Sequence, residues 1–172
     1  MFSIRVELLV LVFWLTQTQS YEVTLDSFTP YSESDSSMVD YGTLRILKKS
    51  RTSLEISGNY TILRNVGREF GALMEFGSVK DKRFHPLTRN MLNFCDFYAA
   101  DFSIMDAVRE KSNMPPKGAC PFPKGQYYID GYEASLSHLP PLFSAGEYFL
   151  RFMISLNDKY VGGGTTIFTI TR

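Results

Sequence analysis

The run Glu147-Tyr148-Phe149-Leu150-Arg151-Phe152-Met153-Ile154-Ser155-Leu156 limits the fold more than any other stretch. Tyr148, Leu150, Phe152, Ile154 and Leu156 recur at every second position, the period of a strand with one face turned to a core. Phe149 and Met153 stand on the other face, so this strand is apolar on both sides. Upstream, Pro121, Pro123 and Gly125 punctuate the chain after Cys120, and Gln126 to Ala134 reads as an aromatic strand. The Pro140-Pro141 pair ends pairing after it, because proline lacks the amide donor a ladder needs. Gly146 then releases the alternating run. The pattern is that of a β-protein anchored by its cysteines.

The first twenty residues read as a leader. Arg5 supplies a positive start and Leu8 to Leu15 an apolar centre, and Thr18 and Ser20 occupy the small-residue positions of a cleavage site. Crossing a bilayer takes about 20 apolar residues, so an anchor is the poorer reading despite Glu7 being the segment's one blemish as a leader. Tyr21 becomes the expected mature N-terminus. The expectation is a single secreted, extracellular domain over residues 21–172 with no membrane span in its mature form.

Charge excludes some partners. The 18 basic and 18 acidic residues cancel, which gives no electrostatic basis for holding nucleic acid or an anionic membrane surface. Two cysteines in an exported chain most simply pair. Cys95 and Cys120 lie 25 positions apart, and closing such a loop stabilises a fold by about 3 to 3.5 kcal/mol. The alternative is a pair of buried free thiols. A metal site would need further ligands, and His85 and His138 are isolated.

Four strands precede the cysteines. Tyr21, Val23 and Leu25 alternate with Glu22, Thr24 and Asp26. Tyr31 to Asp40 is rich in Ser, Asp and Glu and reads as a solvated loop. Gly42 to Lys49 is a second strand. In the third, Leu54, Ile56, Tyr60 and Ile62 face inward and Glu55, Ser57, Asn59 and Thr61 outward. In the fourth, Phe70, Ala72, Met74 and Phe76 oppose Glu69 and Glu75. Asn59-Tyr60-Thr61 is a glycosylation sequon, and its Asn59 falls on the polar face.

Between His85 and Pro115 the period changes. Phe94, Phe97, Tyr98, Asp101, Ile104, Met105 and Val108 recur at three- and four-residue steps, which predicts a helical segment over about 90–111. Asp101 or Ser103 suits the cap of a second piece, and Pro115-Pro116 ends it. After the alternating run, Asn157-Asp158 reads as a hairpin turn. The return strand is interrupted at Gly162-Gly163-Gly164, read either as a bulge or bend or as a flexible edge.

Catalytic signatures are missing: there is no nucleophile elbow, zinc-protease helix, phosphate loop or dinucleotide fingerprint. The expectation is no enzyme and no cofactor. Fourteen Phe, ten Tyr and seven Met suit instead an adaptable apolar pocket with aromatic walls and pliable thioethers. The competing reading is a sandwich core that these rings fill completely.

An ordered set of short motifs covers almost all the chain after the leader: Tyr21-Glu22-Val23, Ser57-Gly58-Asn59-Tyr60, Asn93-Phe94-Cys95-Asp96-Phe97, Ser112-Asn113-Met114-Pro115-Pro116, Cys120-Pro-Phe-Pro-Lys-Gly-Gln-Tyr-Tyr-Ile, and Leu139-Pro140-Pro141 followed by Gly146-Glu147-Tyr148. In these the chain resembles secreted insect proteins related to the GM2-activator and MD-2-like lipid-recognition group, including the CheA and CheB proteins of contact chemosensation. The resemblance implies a β-cup or sandwich with a cavity for a lipid or other apolar small molecule, and no catalysis. It implies a part in detecting or carrying pheromones or taste ligands, with a sensory receptor or other extracellular protein as a second partner. The chain departs from better-known lipid-recognition relatives in having only two cysteines, where those usually carry several bridges.

The combined expectation is a mostly β sandwich or cup of about seven to eight strands with one helical segment and one disulfide. Phe70, Met74, Tyr128, Tyr148, Leu150 and Phe152 are the expected cavity or core wall, with Phe97 and Met105 as a lid. The alternative function is an extracellular protein-interaction module with a solid aromatic core.

Overall fold

The structure, a computed structural model, describes residues 22–31, 38–51, 53–101, 103–135 and 144–171. The expected leader, His138 and Pro140-Pro141 lie outside them. The described chain forms β1 (Glu22–Pro30), β2 (Val39–Asp40), β3 (Arg45–Lys48), β4 (Ser53–Ile62), β5 (Phe70–Lys80), β6 (Arg83–Asn93), α1 (Phe94–Ala99), α2 (Ser103–Glu110), β7 (Gly125–Ser135), β8 (Gly146–Leu156) and β9 (Lys159–Thr171). The strands make two antiparallel sheets, so the mostly β expectation holds, with nine strands and the helical segment split in two.

The larger sheet has the order β1-β9-β8-β5-β6. Two tight hairpins build it. Asn157 and Asp158 join β8 to β9 with φ of 50° and 60°, the left-handed pair that matches strand twist. Asp81 and Lys82 join β5 to β6 with φ of 52° and 61°. In the smaller sheet β4 is central. It pairs with β7 from Ser53↔Ser135 to Ile62↔Gly125, while its other edge is shared by β3, at Leu54 to Ser57, and β2, at Thr61 and Ile62.

Two corrections follow from the β5–β6 hairpin. Residues 90–93 belong to strand β6 rather than to a helix, and His85 is a strand residue rather than a loop residue. The helical period begins at Phe94, where Asn93 caps α1 by accepting the Asp96 amide at 3.0 Å. The segment before it, Arg83 to Asn93, carries Pro86 and basic side chains that suit an edge strand.

The alternation in β8 sets the layers. Phe70, Ala72, Met74 and Phe76 of β5 pair in register with Leu156, Ile154, Phe152 and Leu150 of β8, so these residues form one continuous inner face. Its outer face is also covered. Phe149 is 0% exposed, Leu73 and Met153 are buried, and Glu75 is buried rather than solvated. Its carboxylate is paired on both oxygens: Arg151 Nη1 approaches Oε2 at 3.0 Å and Arg89 Nε approaches Oε1 at 3.3 Å. Arg151 in turn lies over the rings of Phe84 and Phe149, at 4.9 and 5.4 Å.

The two sheets face each other and are tied at both sides. Along one side the Val23 amide donates to Arg51 O at 2.6 Å and Lys48 Nζ reaches Glu22 at 3.0 Å. Along the other, α1 packs on β5 and β6 and α2 on β7. The Cys95–Cys120 bridge, with Cα atoms 5.6 Å apart, staples α1 to the loop before β7.

Candidate functional site

Three zones divide the space between the sheets. At the disulfide end, Phe70, Phe94, Phe97, Tyr98, Phe122 and Tyr127 pack into a closed cluster. Phe122 meets Tyr98 and Tyr127 with ring centroids 5.1 Å away in each case. The buried hydroxyls are satisfied there: Tyr127 donates to Pro123 O at 2.7 Å and Tyr98 to Pro115 O. At the opposite end Tyr148, Phe168, Val23 and Ile170 form a second cluster, with Phe76 stacked on Tyr148 at 5.8 Å.

Between the clusters the sheets leave a cleft of about 240 Å³. Phe28, Leu150, Phe152, Ile154, Gly163, Gly164 and Thr166 line it from the larger sheet, and Val39, Tyr41, Leu44, Tyr60 and Ile62 from the smaller. Among the described residues, none that lines it is charged. The glycine tract of β9 forms part of its floor. Gly162 and Gly164 pair with Ile154 and Phe152 on the inner face, but they extend no side chain toward the opposite sheet. A Cβ on Gly164 would meet the Phe28 ring at 2.7 Å, and one on Gly162 would meet Val39 at 3.0 Å. Those neighbouring side chains therefore lie over the tract and shape its rim.

The tract is a built feature of an interior strand, flanked by β1 and β8. The flexible-edge reading is thereby set aside in favour of an ordered bend. Gly163 has φ of 125°, and a Cβ there would stand 2.1 Å from Phe152 O, so no larger residue fits. Tyr41 locks this point: its hydroxyl accepts the Gly163 amide at 2.8 Å and donates to Gly163 O. One side chain from the smaller sheet's edge thus crosses to the larger sheet beside the cleft. Burial raises the Tyr41 pKa, and the hydrogen bond with Gly163 opposes that rise.

The expected wall residues distribute over all three zones. Leu150 and Phe152 line the cleft. Phe70, Met74, Phe97 and Met105 belong to the closed cluster, where Phe97 meets Phe152 at 5.2 Å. Phe97 and Met105 therefore pad the closed end instead of forming a lid. Tyr148 belongs to the far cluster. Tyr128 is corrected outright: it is 46% exposed, whereas Tyr127 is 7% exposed. The reason is a register shift in the β4–β7 ladder between Ile56 and Gly58, where Gly131 takes φ of 63°. It places Tyr127 and Tyr132 inside despite their odd spacing.

Asn59 is exposed on the outer face of β4, in register with Tyr128. Phe28, Val39, Tyr41, Leu44 and Thr166 were not anticipated in the site. Thr166 shares the parity of Phe168 and Ile170, and the glycine tract beside it was the available signal. Among the described residues, no group of three or more His, Cys, Asp or Glu is arranged to hold a metal, and no helix is long and apolar enough to cross a membrane.

A family model described as a protein of unknown function, DUF1091, matches residues 73–150. That span, a little under half of the chain, runs from within β5 to within β8 and includes both half-cystines. It ends at Leu150 and stops short of the glycine tract. No curated protein matches the chain.

Proposed function

We propose that this chain is a secreted, non-catalytic binder of a lipid or other small apolar molecule, held between its two sheets. The observation that carries the reading is the uncharged cleft of about 240 Å³, walled by Leu150, Phe152, Ile154, Val39 and Tyr60. Burying apolar ligand surface there contributes roughly 25 cal/mol per Å² before the costs of association. A walled apolar space with a few hydroxyls is the usual build of a small-molecule site. The match to DUF1091, a family associated with MD-2-like lipid-recognition proteins, supports the same reading. In its finer form, the chain, like the insect CheA and CheB proteins it resembles, takes part in contact chemosensation, with a sensory receptor or other extracellular protein as its second partner.

The test compares two neighbouring residues of β8. Phe152→Ala removes a cleft wall, and Arg151→Ala alters the outer face. Uptake of an apolar probe falls at least tenfold for the first and less than twofold for the second. Equal effects count against the cleft.

A second reading, an extracellular interaction module, is favoured by strand β6. Among the described residues it is an edge strand of the larger sheet, and it exposes Phe84, Leu87, Met91 and Leu92. Its signature is retained partner binding in Phe152→Ala and loss of it in Leu87→Asp.

A further inference from the structure

The cleft's few polar atoms identify the chemical class of its ligand. Among the described side chains lining it, the polar groups are the hydroxyls of Tyr41, Tyr60 and Thr166. Tyr41 is occupied in both directions by Gly163. Tyr60 is not: among the described residues its hydroxyl has no hydrogen-bond partner. The one fully enclosed side-chain nitrogen or oxygen lacking a partner there is Nη1 of Arg109, so Tyr60 Oη is not sealed in protein and keeps an open side. Its ring is fixed, stacked on Tyr127 with centroids 5.6 Å apart. Burial raises the Tyr60 pKa strongly, and no hydrogen bond opposes the rise. At neutral pH the group is a phenol with a proton to donate and no acceptor among the described residues.

Thr166 differs. A strand threonine can turn its hydroxyl toward a nearby backbone carbonyl, an option closed to a phenol held at the end of a packed ring. Leaving a donor unmet in an apolar site is costly, so a ligand that supplies an acceptor gains over one that does not. Among the described residues the lining carries no cation to neutralise a carboxylate or phosphate, and desolvating an unpaired anion is prohibitive. At protein packing density the cleft suits on the order of ten non-hydrogen atoms.

We propose that the cleft selects a neutral oxygenated molecule of about that size, a ketone, ester or alcohol, with Tyr60 Oη donating to its oxygen. A bare hydrocarbon leaves Tyr60 unmet, and an ionised acid leaves its own charge unmet. This specificity rests on the binding function proposed above.

Octane, 2-octanone and octanoate separate the possibilities on the full chain. Headspace depletion measures the two volatile probes, and equilibrium dialysis measures octanoate at pH 7. Wild type binds octane and 2-octanone but not octanoate. Tyr60→Phe, which preserves the ring stack, weakens 2-octanone about fivefold to tenfold and leaves octane unchanged or slightly tighter. Thr166→Val changes the ratio of the two by less than twofold. Equal behaviour of both volatile probes in wild type and Tyr60→Phe overturns the inference while leaving an apolar site in place. A selectivity change in Thr166→Val instead of Tyr60→Phe overturns the assignment to Tyr60, and octanoate binding as tight as 2-octanone overturns the neutral class. Depletion of neither volatile probe by wild type overturns the binding function itself.

Discussion

The closed cluster and the cleft occupy the same gap between the same two sheets, yet one is solid and the other open. At the disulfide end, rings from both sheets, from α1 and from the loop before β7 converge on Phe122. In the middle, Gly162 and Gly164 of β9 lie on the inner face with no side chain of their own, and Val39 and Phe28 close over them. Sheets packed face to face stand about 10 Å apart, a distance that interdigitating side chains must fill. Beside the glycines the filling stops short while the ladder continues. Solid packing and open space thus fall to different stretches of one sandwich.

Substitutions separate the two regions, and the largest effects belong to the closed end. Phe122→Ala removes a ring enclosed by Phe94, Tyr98 and Tyr127. It costs about 3 to 5 kcal/mol, read from the denaturation midpoint at unchanged slope. Replacing both Cys95 and Cys120 by Ser costs about 3 kcal/mol, since the bridge closes a loop of 25 positions; the same measurement reads it. In the cleft, Leu150→Ala costs only about 1 to 2 kcal/mol, because Leu150 already borders open space and leaves less unfilled contact behind. A loss from Leu150→Ala as large as that from Phe122→Ala would erase the distinction between the regions.

The smallest expected effect concerns alkaline stability. Burial raises the Tyr60 pKa above its ordinary value of 10.0, so the folded state keeps the proton after the unfolded chain has begun to release it. The stability this group contributes is complete below pH 10 and declines as pH rises beyond it. Between pH 9 and pH 11 the melting temperature of Tyr60→Phe therefore falls less steeply than that of wild type. Parallel slopes would place the Tyr60 hydroxyl in solvent.

Much of the architecture was legible because alternation is enforced by burial. The inner faces of β4, β5 and β8 follow directly from Leu54 to Ile62, Phe70 to Phe76 and Tyr148 to Leu156. The cysteine pair and the Asn157-Asp158 turn were equally plain. Alternation fails where the ladder shifts register, which is why Tyr128 was placed inside and Tyr127 was not. Strand β6 was obscured because an exposed edge imposes no period on its side chains, and Asp81-Lys82 lacks the glycine that usually marks such a turn. The cleft was half legible. Leu150 and Phe152 announce themselves as wall residues, but a stretch of floor made by Gly163 and Gly164 has no apolar pattern to read. Its other wall comes from Val39, Tyr41 and Leu44, which flank a two-residue strand too short to show a period.

Native mass spectrometry of the full chain, alongside Thr166→Phe, tests the glycine-floored cleft as the ligand site most directly. The phenylalanine ring enters the open space from β9 without disturbing either cluster. After exposure to 2-octanone and organic extraction of the bound fraction, wild type shows a discrete adduct and Thr166→Phe shows the bare mass. A bare mass for both proteins, or the same adduct on both, would contradict the account.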